Sequence, residues 1–189
     1  MSITLTIPPG RWDRLLVPSI IVVGMATSVA ALGFVGIRIN WTSSEPLGVY
    51  WIRPVLEPLR IGQMIEFCPP VRRYSFMLRG ECPGGTDPFF KEIVGVPGDL
   101  ITVTESGVTV NGVMLPNSRP RRHALSDPSI TLPVLRGTFR LGPSQYWTYG
   151  SGLSAASFDS RYWGPASIDS VRGVSWNFPK TIMQLVDLK

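Results

Sequence analysis

Cysteine, histidine and lysine are almost missing from this chain. Its 189 residues hold two Cys and one His. Those three cannot supply the four side-chain ligands of a usual zinc centre, and neither a metal nor a cofactor is expected. Lys91, Lys180 and Lys189 are the only lysines, and arginine makes up the rest of the 18 basic residues. Charged residues are scarce at 16%, against the usual quarter or so. The formal net charge is +5, but no block of like charge occurs, which excludes a disordered basic tail. Gly84-Gly85 lacks the strand and helix that flank a phosphate-binding loop. The cluster Arg119, Arg121, Arg122 and His123 has no interleaved aromatics of the kind that stack on bases. It reads as a solvated loop, and no nucleic-acid partner is expected.

Breakers, by contrast, are plentiful: 19 Gly and 18 Pro. A helical bundle cannot hold so many, so short strands joined by turns are expected. The mean hydropathy of +0.16 is high for a soluble chain and points to a part in lipid. The 23 residues from Leu15 to Ile37 carry no charge. As a helix they would cross the ~30 Å hydrocarbon core of a bilayer. Arg11 and Arg14 precede the run and favour a cytoplasmic N-terminus. The expected division is therefore a cytoplasmic segment over 1–14, a transmembrane helix over 15–37, and a β-rich domain over 38–189. That domain lies in the periplasm, held to the inner membrane by one span. A cleavable secretory signal is the alternative, with small residues at Met25-Ala26-Thr27 and Val29-Ala30-Ala31 as cleavage points.

Strands are expected at Gly48–Arg53, Gln63–Cys68, Glu92–Val96, Leu100–Thr104, Val108–Val110, Thr138–Leu141, Gln145–Tyr149 and Ser170–Phe178. Val71–Leu78 has a weak helical pattern, and residues 117–129 read as a long exposed loop. Cys68 and Cys82 bracket a Pro-rich segment. Outside the cytoplasm such a pair reads as one disulfide; two buried thiols are the alternative.

Three segments can carry chemistry. In Asn40-Trp41-Thr42-Ser43-Ser44-Glu45-Pro46-Leu47-Gly48-Val49-Tyr50, alternate residues share a face of an extended chain. Thr42 and Ser44 would present their hydroxyls together, beside a bend made by Pro46 and Gly48. A bend frees backbone N–H groups for an oxyanion; a plain polar linker is the competing reading. In Phe89-Phe90-Lys91-Glu92-Ile93-Val94-Gly95-Val96-Pro97-Gly98-Asp99, a lysine sits inside an apolar strand. Burial lowers a lysine pKa, and a neutral amine can take a proton from a serine. The competing reading is a solvated edge-strand lysine paired with a carboxylate. In Ser157-Phe158-Asp159-Ser160-Arg161-Tyr162-Trp163-Gly164-Pro165, Asp159 and Arg161 suit an ionic turn, and Ser157 offers a further hydroxyl.

Together these motifs resemble the S26 family of membrane-anchored signal peptidases, and most of all its TraF-type conjugative-transfer branch. The patterns N-x-T-x-S-x-P-x-G-x-Y, K-x-[IV]-x-G-x-P-G-D and S-x-D-S-R-[YF]-x-G-P match residues 40–50, 91–99 and 157–165 in order and spacing. The resemblance implies a β-rich, signal-peptidase-like catalytic domain after a single N-terminal transmembrane helix. It implies Ser44 as nucleophile and Lys91 as general base. It places Thr42 at an oxyanion hydroxyl and Ser157 at a serine that orients the lysine. Asp159 and Arg161 match an ionic pair whose aspartate is either structural or catalytic. Ser44-Glu45-Pro46 departs from the Ser-Met-x-Pro of general signal peptidases, and a large second β-domain is lacking.

The expected function is a Ser–Lys serine endopeptidase acting on exported precursor proteins. The branch implies a conjugative pilin precursor, released linear by water or cyclised by an amine. The rival of a different class is a non-catalytic, membrane-tethered β-domain of a secretion or conjugation assembly. It would tolerate loss of Ser44 and Lys91. His123 is the rival base, and would need its loop to fold onto Ser44.

Overall fold

The computed structural model describes residues 13–41, 44–55, 58–150 and 157–177. Two compact units divide between Ile37 and Arg38. The first holds α1 (Asp13–Phe34), a 22-residue helix. Leu16, Val17, Ile20, Ile21, Val22, Val23, Met25 and Val29 are all exposed, so apolar side chains surround the axis rather than lining one stripe. Thr27 and Ser28 turn their hydroxyls onto the carbonyls of Val23 and Gly24, at 2.9 and 2.8 Å. That satisfies them within the helix itself. The helix stops at Phe34, three residues before the uncharged run ends. Gly36 takes a φ of 88°, which a residue without Cβ tolerates. Among the described residues no helix is long and apolar enough to cross a membrane.

The second unit is built on two antiparallel sheets. The strands are β1 (Ile37–Asn40), β2 (Gly48–Arg53), β3 (Met64–Phe67), β4 (Phe89–Gly95), β5 (Leu100–Val103), β6 (Val108–Val110), β7 (Val113–Met114), β8 (Gly137–Arg140), β9 (Gln145–Tyr149), β10 (Ala166–Ser167) and β11 (Val171–Asn177). The larger sheet runs β1-β2-β11-β3-β4-β9-β10 and the smaller β7-β6-β5-β8. Short runs of β-branched and aromatic residues make these strands, and Gly-bearing turns join them. Asn111-Gly112, both at positive φ, closes the β6–β7 hairpin. One apolar cluster, with Ile65, Phe67, Ile93 and Tyr146, belongs to the larger sheet. A second, with Ile101, Val103, Val108, Val110, Leu141 and Trp147, lies between the two sheets.

The β-rich expectation holds, with two local corrections. Residues 71–78 are not helical. Pro69 and Pro70 precede them, and the Arg73 N–H donates across the loop to Gly84 O at 3.0 Å, while the Arg73 guanidinium donates to Met77 O at 2.9 Å. Their backbone thus bonds to a loop rather than along a helix. The loop over 117–129 is irregular but anchored: Ser118 and Ala124 are buried, and the Arg121 N–H donates to the Tyr162 hydroxyl at 3.0 Å. Cys68 and Cys82 form a disulfide, with Cα atoms 5.4 Å apart.

Candidate active site

The Ser44 segment is a bend between β1 and β2, held from both sides. The Asn40 amide donates to Glu45 O at 3.2 Å and to Pro46 O at 3.1 Å. The Tyr50 hydroxyl donates to Pro46 O at 2.6 Å. Tyr50 is itself fully buried and stacks on Phe90 of β4, with centroids 5.4 Å apart. The alternation seen in the sequence therefore has a cause. Asn40 and Tyr50 tie down the carbonyls just after Ser44, and Gly48 supplies the positive φ of 150° that brings the chain back into β2. Thr42 lies outside the described residues.

Lys91 comes from the middle of β4. Its neighbour across the ladder is Ile65 of β3, and Ile93 and Gly95 follow on its buried face. A Cβ on Gly95 would meet Trp147, Ile101 and Leu141 within 3.2 Å, so this face is filled. Lys91 is 3% exposed, and its Nζ lies 2.7 Å from Ser44 Oγ. Among the described residues the amine forms no ion pair. Burial, the largest influence, lowers its pKa; Glu45 and Asp159 pull it up, and Arg161 adds to the lowering. The net direction is down. The lysine motif ends in a turn rather than in more chemistry: the Val96 N–H and the Asn111 amide both donate to Asp99, each at 2.8 Å.

The closing motif packs on the end of β9 and forms α2 (Ser160–Trp163). Asp159 and Arg161 are wholly buried. Arg161 grips the carboxylate with Nε at 2.7 Å and Nη2 at 2.8 Å, and Nη2 also donates to Ser157 O at 2.9 Å. The N–H groups of Gly150 and Arg161 complete the set around Asp159, at 3.1 and 3.2 Å. The hydrogen bonds of Asp159 thus go to Arg161 and to backbone, and the ionic-turn reading describes its geometry. Ser160 is a further tie, accepting the Thr148 N–H at 2.9 Å.

Ser157 is buried, and among the described residues its Oγ has no hydrogen-bond partner. The bond expected from it to Lys91 is not formed, because the hydroxyl lies instead against Gly150. A Cβ on Gly150 would meet Ser157 Oγ at 2.1 Å and Ser44 O at 3.2 Å. Ser157 and the nucleophile segment therefore converge on a position that only glycine fits. The sequence reading missed Gly150, which lies in no motif. It also assigned no role to Glu45, which is buried beside Ser44 and acts on the Lys91 charge. His123 is exposed and pairs with Thr131; it is not among the residues around Ser44.

Ser44 and Lys91 open into a cavity of about 200 Å³, lined mainly by Trp41, Phe76, Met77, Phe89, Phe90 and Phe158. A hydroxyl, a buried amine and an apolar cleft fit acyl transfer on an extended chain. A neutral amine at hydrogen-bond distance can take a hydroxyl proton.

The family model for signal peptidases, peptidase S26, matches residues 10–177. A plasmid transfer protein TraF of Escherichia coli is 31% identical over 165 residues, covering 82% of this chain and 90% of its own. A probable conjugal transfer protein TraF of Sinorhizobium fredii is 33% identical over 169 residues, covering 82% and 87%. A probable signal peptidase I-2 of Synechocystis is 33% identical over 78 residues, which is 41% of this chain and 32% of that one. With a family match over most of its length and TraF relatives over nearly the whole of theirs, this chain belongs to the peptidase S26 family of signal peptidases.

Proposed function

We propose that the chain is a membrane-anchored serine endopeptidase in which Lys91 is the general base for Ser44. One observation carries the reading: a buried lysine with a lowered pKa whose amine stands 2.7 Å from a serine hydroxyl. Neutral Lys91 takes the Ser44 proton as Oγ attacks the scissile carbonyl carbon. The Ser44 N–H and, by family resemblance, the Thr42 hydroxyl hold the oxyanion. As the C–N bond breaks, the Lys91 ammonium returns its proton to the leaving amine, which leaves an acyl-Ser44 ester. A second nucleophile then attacks the ester and gives its proton to Lys91, and Ser44 recovers it. By family resemblance Ser157 would orient the amine, although its hydroxyl does not meet Lys91 in this arrangement.

The relatives are named for plasmid and conjugal transfer, and this supports a precursor protein of conjugation as substrate, in the first place a pilin precursor. Water as second nucleophile gives a linear product, and the substrate's own terminal amine a cyclic one. Co-expression with candidate pilin precursors, read by mass spectrometry, tests both. Cleaved product with wild type and none with Ser44→Ala or Lys91→Arg is expected. Intact precursor under every condition would overturn the reading.

The same proposal includes the anchor. The uncharged run from Leu15 to Ile37 supports it, and so do the apolar side chains on all sides of α1, which suit lipid. Residues 38–189 would then face the periplasm, with 1–14 in the cytoplasm. Protease added to spheroplasts should digest the C-terminal domain; full protection behind an intact inner membrane would refute this topology.

A further inference from the structure

One carboxylate, that of the exposed residue Asp87, lines the cavity at Ser44. Of its polar lining, Asn40 holds the Glu45 and Pro46 carbonyls and Lys91 meets Ser44. Asp87 also lines it, and among the described residues its carboxylate makes no hydrogen bond and no ion pair. The nearby arginines Arg38 and Arg172 act on its charge but form their ion pairs with Glu66, at 3.3 Å, and with Glu81. The backbone of Asp87 is fixed: its N–H donates to Leu78 O at 3.1 Å. A Cβ on Gly80 would meet its Cα at 2.4 Å, so Gly80 lets this loop close against it. The rest of the wall is aromatic, with Trp41, Phe76, Phe89, Phe90 and Phe158. An unpaired carboxylate among ring faces is an arrangement that favours a cation.

We propose that Asp87 is a specificity-determining residue that binds a cationic group of the substrate, a lysine or arginine side chain or a free α-ammonium. This rests on the peptidase reading for its place beside Ser44. Asp87 precedes Lys91 by four residues, so their Cα atoms are at most ~14 Å apart. A lysine side chain shortens that distance, which puts the recognised cation within about four residues of the scissile bond. Partial burial, the largest influence, and the Glu81 charge push the Asp87 carboxyl up, while the Arg172 and Arg38 charges pull it down, with a net upward direction; a bound cation would oppose the first two.

The test uses the full-length chain in detergent micelles. Labelled peptides of small neutral residues carry Lys, Gln or Glu at one scanned position, and each is made with a free and an acetylated N-terminus. With Ser44→Ala, fluorescence anisotropy should show the Lys peptide binding about tenfold tighter than the Gln peptide, the scale of a part-desolvated ion pair plus a cation–π contact. Adding Asp87→Asn should bring the ratio to about one, and Asp87→Lys should turn the preference toward Glu. If only the free N-terminus matters, the cation is an α-ammonium. Equal affinities for all peptides, or a preference that survives Asp87→Asn, would overturn the proposal. Cleavage by the Ser44 chain is read separately. Lys-selective binding without cleavage would leave Asp87 in place and defeat the peptidase reading. Cleavage with equal kcat/KM for Lys and Gln would do the opposite.

Discussion

A lysine in water keeps its proton to about pH 10.4, and only the deprotonated amine can act as a base. For Lys91 the lowering by burial is therefore the chemical condition for the proposed reaction. The cleavage rate should rise with pH through a limb below the ordinary lysine value. Lys91→Arg should lose at least ~100-fold in rate, the low end of general-base effects, because a guanidinium does not deprotonate. Near-normal cleavage by that variant would make Lys91 structural. The same shift has a stability side. Between the folded and unfolded pKa values the unfolded chain binds one more proton, so stability rises with pH across that window. Lys91→Met removes this cost. Its melting temperature should exceed wild type at neutral pH, and the difference should shrink as pH approaches ~10.4. A melting temperature below wild type at every pH would contradict it.

At the scale of elements, the closing motif acts as a clamp from β9 to the nucleophile bend. Asp159 and Arg161 are buried together, and removing one leaves an uncompensated charge. Arg161→Ala should destabilise by about 3–5 kcal/mol, read as a lower unfolding midpoint in urea. An unchanged midpoint with lost cleavage would move the pair from scaffold to chemistry. Gly150 is the other joint. Ala there meets Ser157 Cβ at 2.4 Å, a backbone-fixed atom that no rotamer moves away. Gly150→Ala should cost about 1–3 kcal/mol as overpacking and lower cleavage by more than its stability loss predicts, since Ser44 O lies in the same contact. The check is thermal melting beside single-turnover cleavage.

For the molecule as a whole, the two-sheet unit is tied by one covalent link. The Cys68–Cys82 bridge encloses 14 residue steps that hold no regular strand or helix and little core of their own. Such a loop depends on closure. Cys68→Ser with Cys82→Ser should lower stability by roughly 3 kcal/mol in the chain-entropy account, measured by urea unfolding under non-reducing conditions. A loss below about 1 kcal/mol would mean that the loop is held by its hydrogen bonds alone.

Much of this was legible before any fold. Strand content followed from breakers and β-branched runs, because both act locally on φ and ψ. Ser44, Lys91, Asp159 and Arg161 stood out because their motifs combine turn formers with groups that need special surroundings. Other features could not be read. The 71–78 stretch had helical periodicity but yielded to the loop that the disulfide closes. α1 ended at Phe34, before a turn at Gly36 that interrupts an apolar run which hydropathy alone extends to Ile37. What the chain by itself determined was its local conformations, its charge-poor composition and the residue types available for chemistry. The 2.7 Å contact between Ser44 and Lys91, 47 positions apart, was decided by tertiary structure. So were the need for glycine at 150 and the place of the Asp87 carboxylate on an aromatic cleft. Each depends on strands remote in sequence meeting in one sheet, and no local preference encodes that meeting.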